Sequence, residues 1–144
     1  MNKFDWPVRV YYEDTDGGGV VYHANYLKFM ERARTEWLRN MGFAQSELKN
    51  NLGVIFVVRN IALQYKRSAC YDDALNVSSA ISKTGRSLLV FEQTIYRNHT
   101  VLTKATVEVV CVSAAEFKPV SIPEPIRHAM LAITSNSWSL NEPD

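Results

Sequence analysis

The spacing of apolar residues changes twice along the chain, and each change marks a new kind of element. Near the start, Val8, Val10 and Tyr12 alternate with Arg9 and Tyr11, a period of two that predicts a strand from about Val8 to Tyr12. From Tyr22 the steps lengthen to three and four. Tyr22, Tyr26, Phe29, Met30, Ala33, Trp37 and Met41 form one stripe, with Lys28, Glu31, Arg32, Thr35, Glu36 and Arg39 on the opposite face. Gly42 follows where a left-handed cap is common, so the pattern predicts a helix of ~30 Å at about 1.5 Å per residue, long enough to cross a sheet. After a polar connection (Gln45 to Asn51) the pattern turns strand-like again. Strands are predicted over Val54 to Lys66, around Leu75, Val77 and Ile81, over Ser87 to Arg97, and over Val101 to Ser113. Tyr71-Asp72-Asp73, Lys83-Thr84-Gly85-Arg86 and Asn98-His99-Thr100 read as the turns between them. A short helix around Ile126 to Ile133 and a polar tail, 134–144, close the chain.

One strand, one long helix and then four strands in hairpin succession predict an α+β domain with a single helix packed on one antiparallel sheet. A βαβ series would have alternated the two. Its 144 residues fit one domain, 1–133, followed by the tail. Such a sheet exposes an edge, so pairing with a second copy is expected. Sixteen Lys and Arg against fifteen Asp and Glu leave a net charge of +1, no field for a nucleic-acid backbone. No apolar run reaches the roughly 18 residues of a membrane span, and no signal peptide is evident, so a cytoplasmic protein is expected. Cys70 and Cys111 read as reduced, buried residues within strands, far from metal-ligand spacing.

Candidate chemistry concentrates between Tyr12 and Tyr26. The run Glu13-Asp14-Thr15-Asp16-Gly17-Gly18-Gly19 leads directly to Tyr22, His23 and the predicted helix start. Consecutive glycines imply unusual dihedrals or close backbone approach. A helix start carries free N–H groups and a partial positive charge, so an acid held nearby gives a base or nucleophile beside an oxyanion site. An Asp before a helix also commonly caps or turns the chain, and the residues alone leave both readings open. The three acids of this run, Glu13, Asp14 and Asp16, and His23 are not assigned to a metal. There is no G-x-S-x-G elbow, phosphate loop or dinucleotide glycine spacing.

The stretch Tyr12-Glu13-Asp14-Thr15-Asp16-Gly17-Gly18-Gly19-Val20-Val21-Tyr22-His23-Ala24-Asn25-Tyr26, continued by Glu31-Arg32-Ala33-Arg34, closely resembles the signature of the 4-hydroxybenzoyl-CoA thioesterase family. Within it, the chain is most similar to the branch associated with the Tol–Pal system of Gram-negative bacteria. The similarity extends through Phe56-Val57-Val58-Arg59, Tyr71-Asp72-Asp73 and Val107 to Val112, about residues 6 to 125. The resemblance implies a hot-dog fold, a five-stranded antiparallel sheet wrapped round a long helix, in dimers commonly paired into tetramers. It implies acyl-CoA hydrolysis without a cofactor, Asp16 as the catalytic carboxylate, the His23 N–H as oxyanion donor, and Tyr12 and His23 as side chains grouped with the acid. Substrate contacts carry over to Phe56, Val57 and Val58, and CoA contact to Arg86, although Thr84-Gly85 stand where one branch has arginines.

Two rivals accompany this reading. Hot-dog dehydratases act on acyl-carrier-protein thioesters with a His and an acid, but their motif does not resemble this stretch. The other rival is a binding partner of acyl carrier protein or of phospholipid-synthesis enzymes, peripheral at the inner membrane, with weak thioesterase activity. The preferred acyl group is not legible in the sequence.

Overall fold

The computed structural model describes the backbone of residues 3–141 and the side chains up to residue 132. Five strands, β1 (Phe4–Arg9), β2 (Val54–Tyr65), β3 (Ala74–Thr84), β4 (Leu88–Arg97) and β5 (Thr100–Ser113), form one antiparallel sheet in the order β1-β3-β4-β5-β2. The long helix α1 (Asn25–Asn40) lies on its inner face. A single turn α2 (Gln45–Glu47), a π turn (Leu48–Leu52) and a last helix α3 (Glu124–Asn141) complete the chain. This is the expected hot-dog architecture. Among the described residues no helix is long and apolar enough to cross a membrane.

Burial of the α1 stripe explains the shape. Phe29, Met30 and Ala33 are fully inaccessible, and Tyr26, Trp37 and Leu38 nearly so. Strands from the middle and both edges of the sheet reach this helix. Phe4 of β1 stacks on Trp37 at 5.8 Å, Phe91 of β4 meets the same indole edge-on at 6.1 Å, and Tyr65 of β2 packs on Tyr26 at 5.6 Å. The sheet therefore curls round the helix. The helix ends in a Schellman motif: Phe43 N–H donates to Leu38 O and Gly42 N–H to Arg39 O, with Gly42 at φ +102°.

Several boundaries differ from the sequence reading. The first strand ends at Arg9, and Tyr12–Asp14 form a 3₁₀ turn. The buried face is therefore Phe4, Trp6, Val8 and Val10, and Tyr12 is 66% exposed. Tyr22 precedes α1 and is exposed, so the helix has 16 residues and is roughly 24 Å long. The last helix begins at Glu124 and continues through residues read as tail to Asn141, and residues 142–144 lie outside the described residues. Cys70 is exposed in the β2–β3 connection, where the Asp72 turn (φ 71°) prevents a strand, whereas Cys111 is buried in β5.

Burial pushes the Cys111 thiol up to about 11. In the unfolded chain a thiol ionises near ~8.5. The folded state thus holds the proton longer, and the stability present below that pH is lost as pH rises towards the folded value. We expect a disulfide reagent at pH 8 to modify one thiol per native chain rapidly, at Cys70, and the second only in denaturant. Two equally fast thiols would contradict this burial.

Candidate active site

The glycine-rich run forms a tight loop between two short antiparallel segments. Tyr22 N–H donates to Asp14 O, Thr15 bridges Val21, and Asp16 N–H donates to Val20 O at 3.0 Å. Gly17 and Gly19 adopt φ of +90° and +92°, conformations that side chains rarely tolerate. Gly18 N–H donates to Asp16 Oδ1 at 2.7 Å, which orients this exposed carboxylate. A Cβ at Gly18 would approach the same oxygen to 3.1 Å. The far side of the loop is anchored on the β2–β3 connection by Val21 N–H to Ala69 O and Tyr71 N–H to Gly19 O.

Asp14 holds this loop against the helix. It is 5% exposed, and its Oδ2 accepts from Tyr11 N–H at 2.9 Å while Oδ1 accepts from the Asn25 side-chain amide at 2.8 Å. Asn25 opens α1, so one carboxylate joins the end of the first strand to the helix start. Ala24 at the N-cap offers no side-chain acceptor, and the N–H groups of His23 and Ala24 have no backbone acceptor among the described residues. The His23 ring is exposed. It lies 4.4 Å from Tyr22 and 6.5 Å from Tyr65, centroid to centroid, and the Tyr65 hydroxyl donates to His23 O at 2.8 Å.

Tyr12 sits apart, its ring edge-on to Tyr71 at 6.1 Å. No contact among the described residues joins its hydroxyl to Asp16 or His23. Phe56, Val57 and Val58 line a cavity of ≈ 300 Å³ between α1 and β2, closed on its inner side by Trp37, Leu89 and Phe91. That is the lower end of ligand-sized cavities. Arg86 does not line it. Its side chain is exposed at the β3–β4 hairpin, and its carbonyl accepts from Ile122 N–H and Arg127 Nη2. His23 lies instead beside a separate cleft with Tyr65, Lys66 and Arg67. The chain thus carries Asp16 and His23 on one loop and lines one cavity with Phe56–Val58, without bringing the two groups together.

Sequence reasoning missed Arg34. It turns inward, and its Nη1 donates to Gln93 Oε1 at 2.9 Å. Gln93 is itself buried, its Nε2 donating to Met30 O and Ser79 Oγ at 3.0 and 2.9 Å. Met30 O can only accept, which fixes the amide with its oxygen towards Arg34. A buried Gln opposite the helix in β4 was the available signal. Among the described residues no three His, Cys, Asp or Glu side chains cluster to hold a metal ion.

The two aspartates should separate by stability. Asp14→Ala removes the acceptor of both Tyr11 N–H and the Asn25 amide, so the change should cost about 2–3 kcal/mol. Asp16→Asn, on the surface, should stay within about 0.5 kcal/mol. Urea unfolding of both variants measures this, and equal midpoints would refute the anchoring role of Asp14.

Residues 18–104 match the Thioesterase superfamily, a span containing His23, Arg34, Phe56–Val58 and Arg86 that begins just after Asp16. The chain is 48% identical over 128 residues to the acyl-CoA thioesterase YbgC of Haemophilus influenzae, covering 89% of this chain and 94% of that protein. It is 48% identical over 124 residues to the acyl-CoA thioester hydrolase YbgC of Escherichia coli O157:H7, covering 85% and 92%. A probable thioesterase from Bartonella henselae has the same fold at a TM-score of 0.81 and 37% identity, covering 85% of this chain and 100% of that one. A DHNA-CoA thioesterase from Staphylococcus aureus aligns at a TM-score of 0.88 over 100% of this chain and 98% of its own, at 24% identity, and bears on the fold alone. Strand order, encased helix and the matched residues together make this chain an enzyme of the thioesterase superfamily.

Proposed function

We propose that the protein hydrolyses acyl-CoA thioesters, with Asp16 as base or nucleophile and the His23 N–H as oxyanion donor. The observation that carries this is the uncapped start of α1, fixed by Asp14 and Asn25 beside the Asp16 loop. In the ladder that pairs Thr15 with Val21, Asp16 bonds to Val20, three residues before His23, so the acid and the helix start belong to one short hairpin.

The thioester oxygen gains charge as the carbon is attacked, and the helix start meets it with a free N–H and the positive end of the α1 dipole. One such donor contributes on the order of 3 kcal/mol. The Asp16 carboxylate, oriented by Gly18 N–H, takes a proton from water or attacks the carbon itself. Tyr65 supports the geometry by holding His23 O. CoA and acyl carrier protein both present such a thioester, and the names of the relatives favour CoA.

Asp16→Asn should lower single-turnover hydrolysis of a short acyl-CoA by roughly two to four orders of magnitude with circular dichroism unchanged. A folded variant with near wild-type turnover would overturn the assignment.

The acyl site is completed by a second copy in this reading. Both β1 and β2 are edges, but β1 carries Pro7, which cannot donate, whereas β2 is long and contains no proline. A partner strand on β2 brings another molecule against Phe56–Val58, the cavity that the subunit's own Asp16 loop does not reach. Sedimentation at micromolar concentration should show dimers or larger, and a fully active monomer would refute the shared site.

A further inference from the structure

We propose that the cavity between α1 and β2 binds the acyl group through an anionic end, so that the enzyme accepts short acyl-CoAs whose acyl chain terminates in a carboxylate. This rests on the thioesterase reading above and adds the substrate class to it. The argument starts from Arg34. Among the described residues it is the one cationic side chain lining a cavity otherwise walled largely by Phe56, Trp37, Leu89, Phe91 and Val109. Its partner in the protein is a neutral amide: Nη1 donates to Gln93 Oε1, and the remaining guanidinium N–H groups have no acceptor among the described residues. Gln93 is locked by Met30 O and Ser79 Oγ and cannot turn away. The guanidinium is therefore held in one place, with unused donors and no ion pair.

A half-buried cation facing apolar walls is costly unless an anion meets it. The acid best placed to do so, Glu31, lies one turn back on α1, is exposed at the cavity mouth, and forms no ion pair with Arg34 among the described residues. Burial depresses the Arg34 pKa, with Glu31 opposing the shift only in part. A planar fork of donors matches a carboxylate in bidentate geometry better than any neutral oxygen. The volume of ≈ 300 Å³ limits the occupant to a short chain. In the reaction water adds its hydroxyl to the acyl carbon, the C–S bond breaks, and the proton passes to the CoA thiolate. The products are a dicarboxylate and free CoA.

The test compares glutaryl-CoA with pentanoyl-CoA, which share a five-carbon chain and differ in the terminal carboxylate. In the wild-type enzyme kcat/KM for glutaryl-CoA should at least equal that for pentanoyl-CoA, since an apolar cavity without a counter-charge would exclude the anion. Arg34→Met should lower the glutaryl-to-pentanoyl ratio by a hundredfold or more, chiefly through KM, and Arg34→Lys should restore part of it. Glu31→Gln should raise the ratio a few-fold by removing a competing acid. Glutaryl-CoA turned over a hundredfold less well than pentanoyl-CoA by the wild type would overturn the inference. So would an Arg34→Met enzyme that loses stability while its ratio is unchanged, because the guanidinium would then be only an interior strut. If Arg34→Met does not fold, the wild-type ratio and the Glu31→Gln shift decide. Efficient pentanoyl-CoA hydrolysis with glutaryl-CoA rejected leaves the thioesterase reading intact. If neither ester is hydrolysed, that reading fails, and calorimetric binding of the two matched thioether analogues to wild type and Arg34→Met tests the anion site directly.

Discussion

The burial of α1 is the constraint from which the other features follow. A helix that hides Phe29, Met30 and Ala33 completely needs apolar cover over a wide arc, and one flat sheet cannot provide it. The sheet supplies it by bringing Phe4 from one edge, Phe91 from the middle and Tyr65 from the other edge onto the same cylinder. Fully burying a large apolar side chain contributes roughly 1.5–3 kcal/mol. The five or six stripe residues therefore dominate the interactions that hold helix and sheet together. Their position also decides where the helix begins, and with it where the free N–H groups point.

Among the buried polar side chains, two fix the geometry of the candidate site. Asp14 at the helix start and Gln93 beneath its middle are both almost inaccessible, and each has its hydrogen-bonding atoms occupied. Unpaired, each would carry a desolvation cost, so their networks admit one arrangement. Asp14 sets the spacing between the glycine loop and α1. Gln93 sets the position of Arg34 at the cavity. The exposed Asp16 and His23 are thus placed by a buried neighbour rather than by their own contacts.

In the proposed mechanism, the separation of the Asp16 loop from the Phe56–Val58 cavity ties the fold to the association of two copies. Neither Asp16 nor His23 lines that cavity, and the long proline-free edge of β2 runs beside it. A site divided in this way couples activity to association in the proposed mechanism: a chain that failed to pair would keep its acid, its helix start and its cavity, but would not bring them to the same thioester.

Residue spacing alone carries the elements that depend on neighbours a few residues away. The three- and four-residue spacing from Tyr26 to Trp37, the Gly42 cap, the alternation in β3 and the Asn98 turn (φ 57°) are all local, and each appears in the structure close to where the pattern put it. The dihedral demands of Gly17 and Gly19 were legible for the same reason. Tertiary structure decided what depends on distant partners. It placed β2 beyond β5, started β1 at Phe4 because β3 pairs there from Ser79 to Ala74, and left Tyr12 and Tyr22 in solvent although their spacing suited a buried face. It also turned Arg34, at the margin of the helix stripe, towards a Gln 59 residues away. A local period cannot encode such a choice, because the energy of an inward-facing guanidinium depends on which acceptor the packed sheet happens to present to it.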